Sequence, residues 1–295
     1  MTAFKGLEEI VQQDFPLGAA TTFGVGGSCQ YFIRPRSEDE LREVLVGCQK
    51  AGIEVRALGR GSNLLVSDAG VLGAVIQLGQ DGFGRISVEE DLMRAGGAAP
   101  LPEVVKAAAR SGLSGVECLV GIPGSVGGSV LMNAGGVHGD IGQTIERVKV
   151  MDAQGQTFYR ERDDLAFGYR TSNIAARFIL EAELRLMPDN PKAIEARMKK
   201  YWIAKKNSQP MNAASAGCVF KNPRGLAAGM LIDQAGLKGT SVGGAVVSRK
   251  HANYIIVKEK AKTTAADVLA LIELVRKTVK ERFDVYLELE IEVWP

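Results

Sequence analysis

The chain has 295 residues, 46% of them apolar and 24% charged, which fits a folded protein of enzyme size and excludes a disordered one. A net charge of +2, with no dense Lys/Arg run, excludes nucleic-acid binding through a basic face. No apolar run approaches a membrane span, and residues 1–15 carry Glu8, Glu9 and Asp14 in place of a secretory signal, so we expect a cytoplasmic protein with no membrane association.

The predicted elements follow in chain order. Ser37 and Glu40 form a capping-box pattern, and Leu41, Val44, Leu45 and Cys48 repeat at helical spacing until Gly52, which predicts a helix over 38–50. Short β-branched runs predict strands at 55–58 and 75–78, and a helix follows Pro102. A strand is predicted over 178–186. Pro188 and Pro191 then interrupt the chain, and a charged helix runs toward Lys206. We place a domain boundary at this break, giving domains 1–188 and 189–295. Beyond it come a short helix after Gly225, a β-rich stretch at 253–257, a long amphipathic helix over 264–283 and a final strand over 285–293.

Cys29, Cys48, Cys118 and Cys218 lie far apart without a CxxC pair, which suggests reduced thiols. His138 and His251 are the two histidines, and they offer no metal-ligand cluster, so no metal is expected. The glycines are unevenly placed. TTFGVGG from Thr21, LGRGSNLLVSDAG from Leu58 and GIPGSVGGSVLMNAGG from Gly121 allow consecutive backbone N–H groups to face one anion, with Ser62, Ser125 and Ser129 as added donors. One such segment alone is more often only a turn; three of them point to a diphosphate ligand. There is no GxxxxGK[ST], and the segment at Gly24 lacks the last glycine of GxGxxG, which excludes a P-loop NTPase and an ordinary Rossmann dehydrogenase.

Four further segments narrow the reading: SAGCVFKNP at 215–223, AGMLIDQAGLKG at 228–239, GGAVVSRKHANYIIV at 243–257 and LELEIEV at 287–293. With FGYRTSNI at 167–174 and the glycine segments, they make the chain resemble the UDP-N-acetylenolpyruvoylglucosamine reductase family, in its shorter type without an additional substrate-closing loop. The resemblance covers nearly the whole chain. It implies an α+β fold: a vanillyl-alcohol-oxidase-type FAD-binding domain of two α/β subdomains, then a smaller α+β substrate-binding domain. It implies non-covalent FAD, NADPH as co-substrate and a UDP-linked enolpyruvyl sugar as the small-molecule substrate, in peptidoglycan precursor synthesis. Oligomeric state and protein partners have no signature in the sequence.

The resemblance also assigns residues. For FAD these are Thr22, Gly24, Gly26, Gly59, Arg60, Gly61, Ser62, Asn63, Gly121, Pro123, Gly124, Gly127, Gly128, Asn133 and Ala134. For the UDP-sugar they are Lys221, Asn222, Gln234 and Asn253, with Lys205 as first choice at the diphosphate. Arg170 matches the arginine that stabilises the enolate left by hydride addition; a guanidinium stays charged and can fork onto a carboxylate. Cys218 stands where the family usually has a serine proton donor. A thiol, with a reference pKa of about 8.5, is a stronger acid than an alcohol and can deliver the proton. Glu290 matches the catalytic glutamate. Glu288, Glu290 and Glu292 share one face of the predicted strand, a pattern that by itself favours a solvated sheet edge, and only the register of the family motif singles out Glu290; a buried member of the row would keep its proton and support the enolate. Two other readings stay open: a flavin oxidase of the same fold, with His138 as the candidate covalent attachment, and a flavin- or UDP-sugar-binding protein without turnover.

Overall fold

The computed structural model describes residues 4–295 and divides the chain into two compact units. The first combines the chain up to Gln13 with Tyr31–Arg60 and Gly73–Ala204; the second combines Asp14–Gln30, Gly61–Leu72 and Lys205–Pro295. Where the sequence reading cuts the chain once, after residue 188, the units also exchange two early segments. The reason is burial: Phe23, Val25 and Leu65 are apolar and pack into the same core as the C-terminal hundred residues.

In the first unit, helix α1 (Glu38–Ala51) starts on Ser37, whose Oγ accepts the Glu40 N–H at 3.1 Å, and stops at Gly52 with φ +66°. The other half of the expected capping box is redirected, because the Glu40 carboxylate accepts the Arg36 N–H at 2.6 Å. Leu41, Val44, Leu45 and Cys48 bury against Ala74 and Ile76 of the strand Val71–Ile76, which pairs in parallel with Val55–Ala57. This strand begins before the predicted 75, because Gly73 interrupts the β-branched pattern; a Cβ there would meet Glu54 O at 2.4 Å. One further turn, α2 (Gln80–Phe83), follows.

The larger sheet of this unit is antiparallel, in the order Thr157–Glu161, Ile145–Met151, Phe178–Arg185, Leu92–Gly96, Ile86–Glu89. Its core includes Met93, Val148, Val150, Ala182 and Leu184, with Val104, Val105 and Ala108 from α3 (Leu101–Arg110) and Val126 and Val130 from α4 (Val126–Leu131). On this sheet Glu183 is buried between Arg94 and Arg147, whose nitrogens lie 2.8 and 2.9 Å from its Oε1. Burial alone would raise its pKa, but hydrogen bonds from the two arginines outweigh that and hold it below the usual carboxylate range. The charged helix α5 (Pro191–Ser208) follows the proline break as predicted.

In the second unit, α6 (Ala228–Gln234) and α7 (Ala265–Phe283) pack through Leu231, Ile232, Val268, Leu271, Ile272 and Val275 against strands Ser241–Val242, Ala245–Val247 and Ile255–Val257. Helix α7 has a complete capping box between Thr264 and Asp267, and the Asp68 carboxylate accepts the Ala265 and Ala266 N–H groups at 2.8 and 2.9 Å. The predicted final strand over 285–293 is corrected. Only Glu292–Trp294 is a regular strand, parallel to Leu64–Val66, and residues 288–290 instead make a single bridge, Phe220 with Leu289.

Candidate functional site

Each unit carries its own group of functional side chains. In the first, Arg170 sits in the two-residue turn of a small hairpin, Phe167–Gly168 with Thr171–Ser172. Its φ is +57°, a left-handed conformation in which a non-glycine residue costs about 1–2 kcal/mol. Strain of this kind persists where the surroundings fix it, and here they do. The amide of Asn133, 4% exposed, donates to Gly168 O at 2.9 Å and accepts the Gly142 N–H at 3.0 Å. Asn133, assigned to FAD from the motif, thus uses its side chain on the hairpin that presents Arg170. The Arg170 guanidinium lies 5.3 Å from the ring centroid of Tyr169.

A cavity of about 590 Å³ opens in this same unit. Gly59, Arg60, Gly127 and Gly128 of the proposed FAD set line it, together with Arg34, Gln77 and Arg177, which the sequence reading missed. Gln77 ties two of these together: it accepts from Arg34 Nε at 3.2 Å and donates to Gly59 O at 2.6 Å. The walls fit a flavin nucleotide. A Cβ on Gly97 would lie 1.9 Å from Ile179 O and one on Gly59 would lie 2.9 Å from Ser125 Oγ, so bare backbone is needed where the walls close in. Phe32, Leu58 and Ile179 supply apolar surface, and the guanidinium groups supply the positive charge that a phosphate requires. Gly121, Pro123 and Gly124 form the approach to α4 and Ala134 follows it, outside this lining. His138, the candidate covalent attachment, also lies outside it and stacks on Tyr201 at 4.1 Å.

In the second unit, Cys218 is half-buried and follows Gly217, whose φ of +82° lets the chain turn before it. The next residues run antiparallel to 288–290: Lys221 N donates to Glu288 O at 2.9 Å and Glu290 N to Val219 O at 2.8 Å. This register puts Glu290 across from the residue that follows Cys218. Glu290 is half-buried, whereas Glu288 and Glu292 are exposed, so the three carboxylates differ in environment despite their shared spacing. Asn63 donates from Nδ2 to Glu290 O at 3.1 Å and accepts the Glu292 N–H on its own carbonyl at 2.9 Å.

Asn253, 3% exposed, holds the Cys218 segment from the other side. Its Oδ1 accepts the Phe220 N–H at 3.0 Å, its Nδ2 donates to Phe220 O at 2.8 Å, and its carbonyl accepts the Val219 N–H at 2.9 Å. Its own N–H reaches His251 Nδ1 at 3.3 Å. That contact needs an unprotonated Nδ1, and burial, aided by Lys238, lowers the His251 pKa accordingly. Asn222 Oδ1 accepts the Ala228 N–H at 3.0 Å at the start of α6, Gln234 is exposed at its end, and Lys221 lies 3.7 Å from Glu288. Lys205 is half-buried near the end of α5. Thr22 donates from both N and Oγ1 to Gly61 O, at 3.0 and 3.3 Å, which joins the first two glycine turns. Gly26 is bare because a Cβ would lie 2.2 Å from Val66 O, and Ser62 is half-buried beside Asn63.

Known proteins resemble this chain over nearly its whole length. Residues 29–159 match an FAD binding domain and residues 209–294 match the C-terminal domain of UDP-N-acetylenolpyruvoylglucosamine reductase. The reductase of Moorella thermoacetica is 40% identical over 98% of this chain and 95% of its own, and that of Desulforamulus reducens is 38% identical over 96% and 93%. The crystal structure of the Thermus caldophilus enzyme superposes with a TM-score of 0.83 at 38% identity, covering 97% of this chain and 99% of that one. The glucose dehydrogenase Phl p 4.0202, at 15% identity and a TM-score of 0.51 over 64% of this chain and 44% of that one, shares the fold alone. Among the described residues no helix is long and apolar enough to cross a membrane. With near-complete coverage in both directions, the chain belongs to the UDP-N-acetylenolpyruvoylglucosamine reductase family.

Proposed function

We propose that Arg170, Cys218 and Glu290 carry the chemistry of an NADPH-dependent, FAD-mediated reduction of UDP-N-acetylglucosamine enolpyruvate to UDP-N-acetylmuramate. FAD, when bound, relays hydride from NADPH to the enolpyruvyl double bond. The protein's own task is to manage the charge and the proton that this transfer demands. Hydride addition leaves an enolate beside the substrate carboxylate, and the Arg170 guanidinium neutralises it. Cys218 Sγ–H gives its proton to the adjacent carbon, and Glu290, in its protonated form, donates a hydrogen bond to the enolate oxygen.

The observation that carries this reading is the pairing of 219–221 with 288–290, which includes Glu290 and begins one residue after Cys218. Lys221, Asn222, Gln234 and Lys205 serve the UDP-sugar in this reading, and Asn253 serves it indirectly by fixing Phe220. The cavity around Gly59 and Gly127 takes part of a non-covalently bound FAD, and in the second unit the turns at Thr22, Gly24 and Gly61 to Asn63 are further FAD-binding positions. Residues 1–188 act as the flavin-binding part and 189–295 as the substrate-binding part, in keeping with the matched domains at 29–159 and 209–294. The product class puts the step in cytoplasmic peptidoglycan-precursor synthesis, on which cell shape and division depend.

An anaerobic absorbance titration tests the whole. NADPH should bleach the flavin band and UDP-N-acetylglucosamine enolpyruvate should restore it, while acid precipitation should leave the flavin in the supernatant. Bleaching without restoration would remove the proposed substrate.

A further inference from the structure

Gly24 has φ +70°, and an added Cβ would meet Lys260 Nζ at 2.5 Å, Cε at 2.6 Å and Cδ at 2.7 Å. The lysine, distant in sequence and in no motif, therefore lies along the space that a side chain at position 24 would take. It is exposed and makes no ion pair among the described residues, whereas its neighbour Lys262 pairs with Glu259 at 2.7 Å. Hydrogen bonds on both sides of it hold the backbone of this segment. Thr263, 7% exposed, donates from Oγ1 to Glu259 O at 2.7 Å, Lys258 N donates to Gly244 O at 3.2 Å, and Lys262 N donates to Glu259 O at 3.0 Å.

A cation without a carboxylate among the described residues, lying over a left-handed glycine turn, suits a pyrophosphate, which offers charge to the ammonium and acceptors to nearby N–H groups. The hydrogen bonding favours the cofactor over the substrate as the source of that pyrophosphate. Thr22 is bonded to Gly61 in the second glycine turn, while the Lys221 ammonium lies by Glu288 and the Asn253 side-chain amide closes on Phe220. We infer that Lys260 is an FAD-binding residue whose ammonium neutralises the cofactor pyrophosphate at the Gly24 turn. This rests on the reading that the turn belongs to the flavin site.

The test is flavin release on dilution of the holoenzyme, read as recovered flavin fluorescence at two salt concentrations, for Lys260→Met, Lys260→Arg and Gly24→Ala. Loss of one charge-assisted contact should weaken FAD binding about tenfold in Lys260→Met and flatten its salt dependence, with Lys260→Arg close to the parent. Thermal unfolding of the flavin-free forms should be unchanged by Lys260→Met, which separates lost binding from lost folding. If Gly24→Ala loosens FAD and Lys260→Met does not, the lysine's role is wrong and the turn stays in the flavin site. If neither variant loosens FAD, the turn itself leaves the site and the inference falls with it. A loss confined to UDP-sugar affinity, with FAD retained, would hand the lysine to the substrate diphosphate and overturn the proposal.

Discussion

Two buried asparagines, one in each unit, hold the backbone beside a proposed catalytic residue, and they do so differently. Asn133 bridges two segments, Gly142 and Gly168, and is itself left-handed at φ +44°. Asn253 closes both ends of its amide on one residue, Phe220. The residues they serve differ as well. Arg170 occupies the left-handed position of its turn, whereas in the other unit Gly217 takes the left-handed position and Cys218 follows it. A glycine relieves the strain where the reactive side chain is one residue further on. At position 170 the side chain itself must stand at the turn, so the strain stays.

The comparison is tested most strongly at the two reactive groups. Cys218→Ala should slow flavin reoxidation by substrate ~10²–10⁴-fold while leaving flavin reduction by NADPH nearly intact, as expected of a proton donor. Stopped-flow absorbance separates the two steps; equal slowing of both would refute a donor role. Cys218→Ser should keep substantial activity. Arg170→Gly should lose ~10²–10³-fold in the substrate step while unfolding stability changes little, because glycine's ease in the turn's conformation offsets its greater freedom in the unfolded chain. A variant that lost both activity and stability would show that Arg170 holds the fold rather than the enolate.

The asparagines come next. Asn253→Ala leaves the Phe220 N–H and carbonyl unpaired in a buried place, at a cost of roughly 2–3 kcal/mol. Asn133→Ala should cost about 1 kcal/mol more, since alanine also tolerates the left-handed conformation less well than asparagine. Urea unfolding of both variants measures the difference, and equal losses would mean that the strain at 133 is relaxed elsewhere.

Much of this architecture was legible in the sequence where one local force dominates. Ser37 with Glu40, the Pro188–Pro191 break and the apolar period of α7 each reproduced an element, because capping, φ restriction and amphipathic burial act within a few residues. The strand over 285–293 failed for the converse reason. Its alternation is real, with Leu287 and Ile291 buried, but regular pairing requires a neighbouring strand, and only Glu292–Trp294 finds one, in Leu64–Val66. Lys260 over Gly24 and Gln77 under Gly59 left no trace in sequence. Both are contacts between distant segments made by residue types common on any surface.

The smallest expected effects fall on the glutamates around Glu290, and they discriminate sharply. Glu288 is 69% exposed in its side chain, and its 3.7 Å contact with Lys221, 39% exposed, is a solvated pair worth at most about 0.5 kcal/mol. Glu288→Gln and Glu292→Gln should therefore leave unfolding midpoints and turnover within error of the parent. Glu290→Gln keeps the length and shape of the side chain and the backbone bonds to Val219 and Asn63, so it should also fold normally, yet slow the substrate half-reaction. If all three substitutions behaved alike, the row would be only a solvated edge. If Glu290→Gln alone slowed reoxidation, the half-buried position would be what separates a proposed catalytic carboxyl from its two neighbours of identical spacing.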